Sequence, residues 1–422
     1  MTTTASELQT KGQAAKKAAR ELARCSTTIK NRALIAIAEG LIENADEIVA
    51  ANKTDQTNAQ EMGVTPAALD RLKLDRGKIE AIAADVRAVA VAPDPVGEMI
   101  DMRTLPNGMQ AGRKRVPLGV IAAIYESRPN VTVDIASLCL KSGNACILRG
   151  GKETINSNKV IARVLRQALV SAGAPEEAIQ LIEDTDRSII GEMLTMKDII
   201  DLVVPRGGAE LIKFVAENAK MPVLTGGIGV VHTYVDASAD LAKAVSIVNN
   251  AKTRKVSNCN ALDTVLVHSA IAPQFLAALG REWSGKVEIH ADQRATDILR
   301  DVGVSALPIE DGDWDREWLA MSAGVRIVDS LDEALDHIHV HGTGHSDAII
   351  TEDYSAATRF LDEVDTAVCY VNASTQFTDG AQFGLGAEII DSTQKTIARG
   401  PVGLREITTY KWIVYGNGQI RP

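Results

Sequence analysis

One feature restricts the fold more than any other: from Leu118 onward, short apolar runs alternate with helical segments. Apolar runs separated by helices are typical of parallel strands that are covered on both faces. The predicted strands are 118–125, 145–149, 179–182, 199–204 and 223–225, and the predicted helices are 131–141, 156–170 and 209–218. We therefore predict an α/β fold with a doubly wound parallel sheet.

The same alternation resumes after Asp236-Ala237-Ser238, which we interpret as a hinge into a second α/β unit. Its predicted strands are 264–268, 325–328, 348–351 and 367–372, and its predicted helices are 239–249, 272–283, 331–338 and 356–364. The acidic stretch 301–316 is predicted to be an irregular surface loop. Residues 373–386 follow a buried strand, which is a usual place for a binding loop.

The chain before Leu118 has a different pattern. Residues 5–91 are predicted to be helical, with turn signals at 25–28, 51–54 and 62–63. Residues 96–116 are predicted to form a β-hairpin with Pro106-Asn107-Gly108 at its tip. Such a hairpin either projects as an assembly arm or packs on its own domain. The strand-like segment 406–415 is a candidate to pair with it.

Composition excludes several classes of function. The chain has 422 residues, enough for two or three domains, and its net charge of −10 argues against a general binder of nucleic acid or membrane surfaces. No apolar run approaches the roughly 18 residues of a membrane span, and the polar start lacks a signal-peptide core. Five scattered cysteines without a CxxC pair indicate reduced thiols. We therefore expect a cytoplasmic protein.

Cys259 has the surroundings that a nucleophilic thiol needs. It lies in the polar turn Ser257–Asn260, after the cations Lys252, Arg254 and Lys255. Nearby positive charge favours the thiolate, which is the reactive form. The alternative is a structural cysteine in a loop that happens to be basic. By charge and proximity, Arg254 and Lys255 are also candidates to bind a phosphate group.

Two glycine pairs follow predicted strands. One is in Arg149-Gly150-Gly151-Lys152, and the other is in Arg206-Gly207-Gly208, which leads into a predicted helix. Free backbone N–H groups and a cation at the carboxyl end of a strand suit a nucleotide phosphate. Each pair alone could be plain turn glycines, whereas two pairs on one predicted sheet favour a phosphate site.

No metal site is expected. The series His337, His339, His341 and His345 could bring imidazoles to one face of a strand, as zinc requires. However, His337 and His339 fall at the end of a predicted helix, and no acidic or thiol partner has a recognisable spacing. We therefore predict that the chain binds no metal.

The chain also resembles the aldehyde dehydrogenase superfamily, and within it the branch that reduces glutamyl phosphate. The resemblance covers nearly the whole chain from Leu118 on, with a compatible helical start. Its most specific blocks are Tyr125–Asp134, Ile147–Glu153, Cys259–Leu262, Val371–Thr375, Phe377–Gly380, Gln382–Glu388 and Ala398–Pro401. The resemblance implies an aldehyde dehydrogenase-like fold of two doubly wound domains and a β-hairpin oligomerisation arm.

The resemblance assigns these parts to segments of the chain. It implies an NADP(H)-binding domain at 1–96 and 117–236, a catalytic domain at 237–404, and an arm at 97–116 and 405–422. The arm implies a homo-oligomer. No nucleic acid or membrane partner is implied.

The resemblance also implies the catalytic residues. Cys259 falls on the nucleophile, and Asn130 falls on the asparagine whose amide helps to form the oxyanion hole. The candidate substrate contacts are Arg254, Lys255, Thr378, Asp379 and Phe383.

The implied cofactor contacts lie mainly in the first predicted sheet. Arg149 and Lys152 align with the region that contacts the adenosine ribose, where positive charge suits a 2′-phosphate. Arg206–Gly208 match the pyrophosphate site. Glu317 matches the glutamate that holds the nicotinamide ribose.

Three positions depart from the family pattern. Hydrolytic members carry a glutamate two positions before a Gly-Gly pair, as the base that activates the deacylating water, and Leu224 occupies that place here. A reductase of an acyl phosphate needs no such water, so Leu224 favours the phosphate-dependent reaction. Gln376 stands where an arginine is usual, and Asn258 where an apolar residue is commoner.

The implied activity is NADPH-dependent reduction of L-glutamyl 5-phosphate to L-glutamate 5-semialdehyde and phosphate, through a cysteinyl thioester, in proline biosynthesis. Two alternatives stay open. One is a hydrolytic semialdehyde dehydrogenase, and the other is a non-catalytic nucleotide-binding partner of glutamate kinase. Association with the kinase is also compatible with catalysis, because an acyl phosphate is short-lived.

Overall fold

The chain folds into two compact units. The structure is a computed structural model that describes residues 6–421, apart from the side chains of Pro66 and Ala67. The first unit comprises Met1–Thr225, Gly384–Ile390 and Val402–Pro422, and the second comprises Gly226–Phe383 and Asp391–Pro401. Within residues 6–421, every helix is too short or too polar to span a bilayer. Both units combine helices with strands, as the α/β prediction requires.

Five helices begin the first unit: α1 (Glu7–Leu22), α2 (Thr27–Glu43), α3 (Ala45–Glu61), α4 (Pro66–Leu72) and α5 (Arg76–Val91). The predicted helical region is confirmed from Glu7 onward, and Ala5 lies outside the described residues. The predicted turn at 51–54 is wrong, because α3 continues through it. The amide of Asn52, which is fully buried, donates to the carbonyl of Leu72 and accepts from the N–H of Leu74. A residue typical of turns thus occurs in mid-helix because it pairs with a distant loop.

The predicted hairpin is confirmed. Its strands are β1 (Met99–Thr104) and β2 (Gln110–Pro117), and the last strand of the chain, β16 (Thr408–Tyr415), completes an antiparallel sheet in the order β1-β2-β16. Thr408 lies opposite Pro117 and Tyr415 lies opposite Gln110. The predicted pairing of the chain end with the hairpin is therefore also confirmed.

A parallel sheet forms the rest of the first unit. Its elements are β3 (Val120–Tyr125), α6 (Asn130–Lys141), β4 (Ala145–Arg149), α7 (Ile155–Ser171), β5 (Ile179–Leu181), α8 (Ser188–Met193), β6 (Leu202–Arg206) and α9 (Ala209–Asn218). The strand order is β5-β4-β3-β6. The predicted strand 223–225 is wrong, because only one bridge joins Val223 to Val203. In this strand order, β4 and β5 lie on one side of β3, and β6 lies on its other side. The loops after β3 and β6 are therefore at a topological switch point, where α/β sheets bind ligands.

The second unit contains a larger parallel sheet. Its elements are β7 (His232–Val235), α10 (Leu241–Thr253), β8 (Thr264–His268), α11 (Ala272–Trp283), β9 (Glu288–Ala291), α12 (Gln293–Asp301), β10 (Leu307–Pro308), β11 (Ser322–Val328), α13 (Leu331–His341), β12 (Ser346–Ile350), α14 (Tyr354–Glu363), β13 (Val368–Val371), β14 (Asp391–Ser392) and β15 (Gly400–Pro401). The order is β10-β9-β11-β8-β7-β12-β13, and β14 pairs with β15 separately. The stretch 301–316, predicted to be irregular, contributes the edge strand β10. The predicted bounds of β8 and α11 are confirmed.

The sheet of the second unit is buried on both faces. Val265 and Val267 of β8 pack in a cluster with Phe275, whereas Leu266, between them, packs on the other face with Phe360. Alternate side chains of a strand point to opposite faces, so continuous apolar strands require helices on both sides. The strand ends and their loops are therefore the parts of this sheet that can carry polar chemistry.

Asp55 supports the first unit through a buried carboxylate. It lies in α3 with no exposed surface, and its oxygens accept hydrogen bonds from N and Nδ2 of Asn156 and from N and Oγ of Ser157, in the first turn of α7. We expect Asp55→Ala to lower the local free energy of unfolding by about 3 kcal/mol, because these donors lose their acceptor. Hydrogen exchange of peptides from α7, measured by mass spectrometry, should accelerate about 100-fold. The exposed Asp46→Ala, at the start of α3, is the control, and unchanged exchange in Asp55→Ala would contradict the prediction.

Candidate active site

The turn that carries Cys259 is fixed by the segment after β13. Cys259 is half-buried between α10 and β8. The hydroxyl of Thr375 donates to the carbonyl of Asn260 at 2.8 Å, and the amide of Asn260 donates to the carbonyl of Thr378 at 2.8 Å. All three of these residues are buried. The backbone next to the sulfur therefore has little freedom.

Gly229 brings Glu317 to the same turn. Any side chain at Gly229 would collide with the carbonyl oxygen of Cys259. The N–H of Gly229 donates to Oε1 of Glu317 at 3.2 Å. Burial raises the pKa of Glu317 above its ordinary value, and this hydrogen bond opposes the shift. The fold thus joins the predicted nucleophile and the predicted ribose ligand through one glycine.

Two side chains that the sequence did not assign lie beside the thiol. The sulfur of Cys259, a ring nitrogen of His345 and a carboxylate oxygen of Asp391 all lie within 4.8 Å of one another. His345 is only 2% exposed. Burial lowers its pKa to about 4, although Asp347 opposes the shift, so the imidazole is neutral near pH 7. In the sequence, His345 belongs only to a series of closely spaced histidines, and no pattern links it to Cys259.

Three hydroxyl groups extend from His345 into the interior. Nδ1 of His345 lies 2.9 Å from Oγ of Ser346, which lies 2.7 Å from Oγ1 of Thr378, which in turn lies 2.9 Å from the phenol of Tyr370. Burial raises the pKa of Tyr370 to about 12, so the phenol keeps its proton. The hydroxyl of Thr378, a candidate substrate contact, is thus shared by two protein partners.

The cations before Cys259 have separate roles. Lys252 has no exposed surface, and its ammonium donates to the carbonyl of Leu262 at 2.9 Å. Burial lowers the pKa of Lys252 to about 8, although the carboxylate of Asp263 opposes the shift. Burial likewise raises the pKa of Asp263 to about 7. Lys252 therefore supports the turn from inside, whereas Arg254 and Lys255 are exposed.

Gln376 braces the end of α10. It is 4% exposed, and its Nε2 donates to the carbonyls of Ala251 and Lys255 at 3.0 and 3.4 Å. Its Oε1 accepts from Arg254 at 3.3 Å. Both ends of the amide are thus used within the protein. An arginine, which is usual in the family at this position, could not accept a hydrogen bond from Arg254.

The remaining candidate substrate contacts lie beyond this brace. Oδ1 of Asp379 accepts from the N–H groups of Ala381 and Gln382 at 2.9 and 3.2 Å, so this carboxylate caps its own loop. The ring of Phe383 is exposed. Asp379 thus shapes the loop, and Phe383 presents an apolar surface at its end.

The site lies at the amino ends of the second sheet. His345 directly precedes β12, Gly229 precedes β7, and Glu317 precedes β11. Asp263 precedes β8 and accepts from the N–H of Trp318 at 2.9 Å, which ties two of these segments together. Ligands of open α/β sheets usually bind at the carboxyl ends of the strands. The residues around Cys259 lie at the opposite, amino ends, so this rule would not have predicted their position.

In the first unit, the predicted pyrophosphate residues lie at carboxyl ends. Gly208 caps the ten-residue helix α9, and its N–H donates to Oε2 of Glu126 at 3.1 Å. A side chain at Gly207 would collide with the same carboxylate. The carboxylate of Glu126 thus lies at the N-terminus of α9, where a helix favours a phosphate oxygen. The backbone N–H groups suit a dinucleotide phosphate, which would take the place of that carboxylate.

The two predicted ribose cations differ in burial. Arg149 is 5% exposed, and its guanidinium donates to the carbonyls of Thr185 and Asp186 at 2.9 and 3.3 Å. Burial lowers the pKa of Arg149 below its ordinary value. Lys152 is exposed. Lys152 is therefore the cation with freedom to meet a ligand, whereas Arg149 supports the loop after β5.

Asn130 is oriented by a carboxylate one turn along α6. Its Nδ2 donates to Oδ2 of Asp134 at 2.9 Å. Burial raises the pKa of Asp134 to about 6, and the hydrogen bond from Asn130 opposes the shift. An ionised carboxylate only accepts, so it selects the amide nitrogen of Asn130 and leaves the second N–H for another acceptor.

Comparison with known proteins gives concordant results. The sequence profile of the aldehyde dehydrogenase family matches residues 1–298. The chain is 56% identical to the gamma-glutamyl phosphate reductase of Dehalococcoides mccartyi over 417 residues, 98% of each chain. It is 51% identical to that of Psychromonas ingrahamii, over 99% of this chain and 100% of the relative.

Solved structures agree with the sequence relatives. The crystal structure of gamma-glutamyl phosphate reductase from Thermotoga maritima has a TM-score of 0.96 and 45% identity, over 99% of this chain and 100% of that one. An acetylating aldehyde dehydrogenase from Geobacillus thermoglucosidasius has a TM-score of 0.70 and 19% identity, over 99% and 98% of the chains. The second likeness supports the fold alone.

The brace at Gln376 generates a prediction. We expect Gln376→Ala to loosen the Cys259 turn, because the buried carbonyl of Ala251 and the partly buried carbonyl of Lys255 lose their donor, at a cost of about 1–3 kcal/mol. Hydrogen exchange of peptides spanning 251–262 should accelerate at least tenfold, since about 1.4 kcal/mol corresponds to a factor of ten. Phe377→Ala is the matched control, because this neighbouring side chain is half exposed. Equal exchange in the two variants would show that Gln376 is not a brace.

Proposed function

Because this chain belongs to the gamma-glutamyl phosphate reductase family, within the aldehyde dehydrogenase family, we propose that it reduces L-glutamyl 5-phosphate to L-glutamate 5-semialdehyde and phosphate with NADPH, a step of proline biosynthesis. The observation that carries the proposal is the half-buried Cys259 in a turn fixed on both sides. A nucleophile needs both access and a defined direction of attack. The non-catalytic alternative does not account for this arrangement.

Leu224 separates the reductase from a hydrolytic semialdehyde dehydrogenase. It is fully buried at the place where hydrolytic relatives carry their base. Without a carboxylate there, the chain lacks at this position the group that would activate water against the thioester. The absence of that carboxylate favours reduction of the thioester over its hydrolysis.

The enzyme uses a nicotinamide cofactor, as a reductase of the aldehyde dehydrogenase family. We assign NADP(H). Gly207 and Gly208 at the start of α9 would hold the pyrophosphate, and Lys152 would hold the 2′-phosphate of the adenosine ribose. Glu317 would hold the nicotinamide ribose, since carboxylates accept hydrogen bonds from ribose hydroxyls. When bound, NADPH supplies the hydride that reduces the thioester.

The protein's part in the chemistry is nucleophilic. The sulfur of Cys259 attacks the acyl carbon of the substrate, and phosphate leaves without needing much acid assistance. Each step generates an oxyanion at the acyl carbon. We assign its stabilisation to the amide of Asn130 and the backbone N–H of Cys259, and loss of one such donor typically costs about 3 kcal/mol. Arg254 and Lys255, which are exposed cations, remain the candidates for the substrate phosphate.

Domain roles and assembly follow from the same assignment. We propose that the first parallel sheet and the helices before it bind the cofactor, and that the unit with Cys259 performs the chemistry. Strand β16 and the β1–β2 hairpin would form an assembly arm of a homo-oligomer. Tyr410, Trp412 and Val414 are exposed apolar residues on β16, consistent with that role. Association with glutamate kinase would shorten the path of the labile acyl phosphate.

The reaction run from the aldehyde side tests the proposal. With glutamate 5-semialdehyde and NADP, we expect NADPH to form only when phosphate or arsenate is present, because the thioester needs an acceptor other than water. Cys259→Ser should lower the rate roughly 1,000-fold or more. Cys369→Ser is the matched control, since this half-buried thiol of the same unit donates a hydrogen bond to the carbonyl of Val364. Phosphate-independent oxidation, or near-normal activity of Cys259→Ser, would contradict the proposal.

Cofactor choice gives a separate prediction. We expect Lys152→Ala to raise the KM for NADPH about tenfold, through loss of one charge-assisted contact, and to leave the KM for NADH unchanged. Lys159→Ala is the control, because this lysine is paired with Glu183 at 2.8 Å. An equal effect of Lys152→Ala on both cofactors would place Lys152 away from the 2′-phosphate.

A further inference from the structure

One ring nitrogen of His345 makes a hydrogen bond, and the other makes none within the described part of the chain. Nδ1 lies 2.9 Å from the hydroxyl of Ser346. Nε2 is buried and has no hydrogen-bond partner among the described residues. A buried polar atom without a partner costs about 1–3 kcal/mol, so native proteins keep few of them. The protein thus bears a cost for an unsatisfied nitrogen next to its nucleophile.

The sulfur of Cys259 is within reach of this ring. The ring nitrogen of His345, the sulfur and a carboxylate oxygen of Asp391 lie within 4.8 Å of one another. Because Nδ1 is occupied by Ser346, Nε2 is the nitrogen left to accept the thiol proton, although it makes no hydrogen bond to the sulfur in this structure. The other titratable or charged groups near the ring are Tyr370, through the hydroxyl chain, and Asp347.

We propose that His345 is a further catalytic residue, the general base that accepts the thiol proton of Cys259 through Nε2 as the sulfur attacks the acyl phosphate. The proposal rests on the acyl-transfer chemistry assigned above. The sulfur–carbon bond forms while the bond from the acyl carbon to the phosphate oxygen breaks. The proton moves from sulfur to Nε2 and then to the departing phosphate, which leaves as hydrogen phosphate. Sulfur is acylated, the imidazole is neutral again, and no other reagent is needed.

The hydroxyl chain suits this role. Ser346 can donate to Nδ1 or accept from it, and Thr378 can adjust in the same way, so the chain holds the ring plane for either tautomer. Burial keeps the imidazole neutral near pH 7, so Nε2 has a free electron pair whenever Nδ1 carries the ring proton.

Alkylation of Cys259 tests the proposal without substrate or cofactor. We would measure the rate of its modification by iodoacetamide, read from the mass of the Cys259 peptide, from pH 6.5 to 9.5 with EDTA present. At pH 7 we expect His345→Gln to react at least about tenfold more slowly than the natural chain, because a positioned base assists attack. Near pH 9.5 the rates should converge, because hydroxide in solution can then remove the thiol proton without help from a positioned base.

Two further variants separate catalysis from packing. His337→Gln removes another buried imidazole with an unpartnered Nε2 from the same unit, and it should follow the natural chain at every pH. Ser346→Ala keeps the imidazole but removes the hydroxyl that orients it, so it should show a smaller loss that also disappears at high pH. A loss in His345→Gln that is the same at every pH, or no loss at pH 7, would overturn the proposal.

Turnover distinguishes this proposal from the assigned reaction. In the phosphate-dependent assay at pH 7, we expect His345→Gln to lower kcat about 100-fold and to leave the KM for NADP unchanged. If alkylation responds as expected but glutamate 5-semialdehyde is not a substrate, the role of His345 stands and the substrate assignment fails. If turnover occurs and His345→Gln retains it at pH 7, only the role of His345 fails.

Discussion

The site depends on the hydrogen bonds that join Asn260 to Thr375 and Thr378. They connect the turn before β8 to the segment after β13, and both segments are buried where they meet. Buried backbone groups must be paired, so these bonds fix the turn more firmly than surface contacts could. Gly229 adds a constraint on the other side, because no side chain fits between it and the carbonyl of Cys259. A single thiol is thereby placed in a defined direction.

Much of the fold could be predicted from local pattern. Apolar continuity located β3, β4 and β8, and turn residues located the hairpin, because these signals depend on neighbours in the sequence. The prediction of a turn at 51–54 is wrong because the side chain of Asn52 bonds to Leu72, twenty residues away, which no local pattern can indicate. The sequence pattern did not predict β7 and β9, which have only four residues each, and β9 is also only partly buried.

The candidate site was predictable only in part, for the same reason. Cys259 and the glycines before α9 have local signals, namely a charged turn and a strand–glycine–helix order. His345 and Asp391 have none, because they meet Cys259 only when β8 and β12 lie in one sheet with β7 between them. In the sequence, Gln376 is only a departure from a family pattern, whereas in the structure it braces α10 through Ala251, Arg254 and Lys255.

The predicted phosphate residues lie at the carboxyl edge of the first sheet, whereas Cys259 lies at the amino edge of the second. The charges at these two edges differ. At the carboxyl edge of the first sheet, α9 presents its positive N-terminus, which suits phosphate. At the amino edge of the second sheet, Cys259 follows the C-terminus of α10, which ends at Thr253, and therefore has no helix N-terminus directly before it in the sequence to favour a thiolate. The cations Arg254 and Lys255 follow that C-terminus, and Lys252 is buried on the carbonyl of Leu262. A helix N-terminus stabilises a thiolate directly. Where a thiol lacks that stabilisation, a neighbouring base that removes its proton has a larger effect on its reactivity.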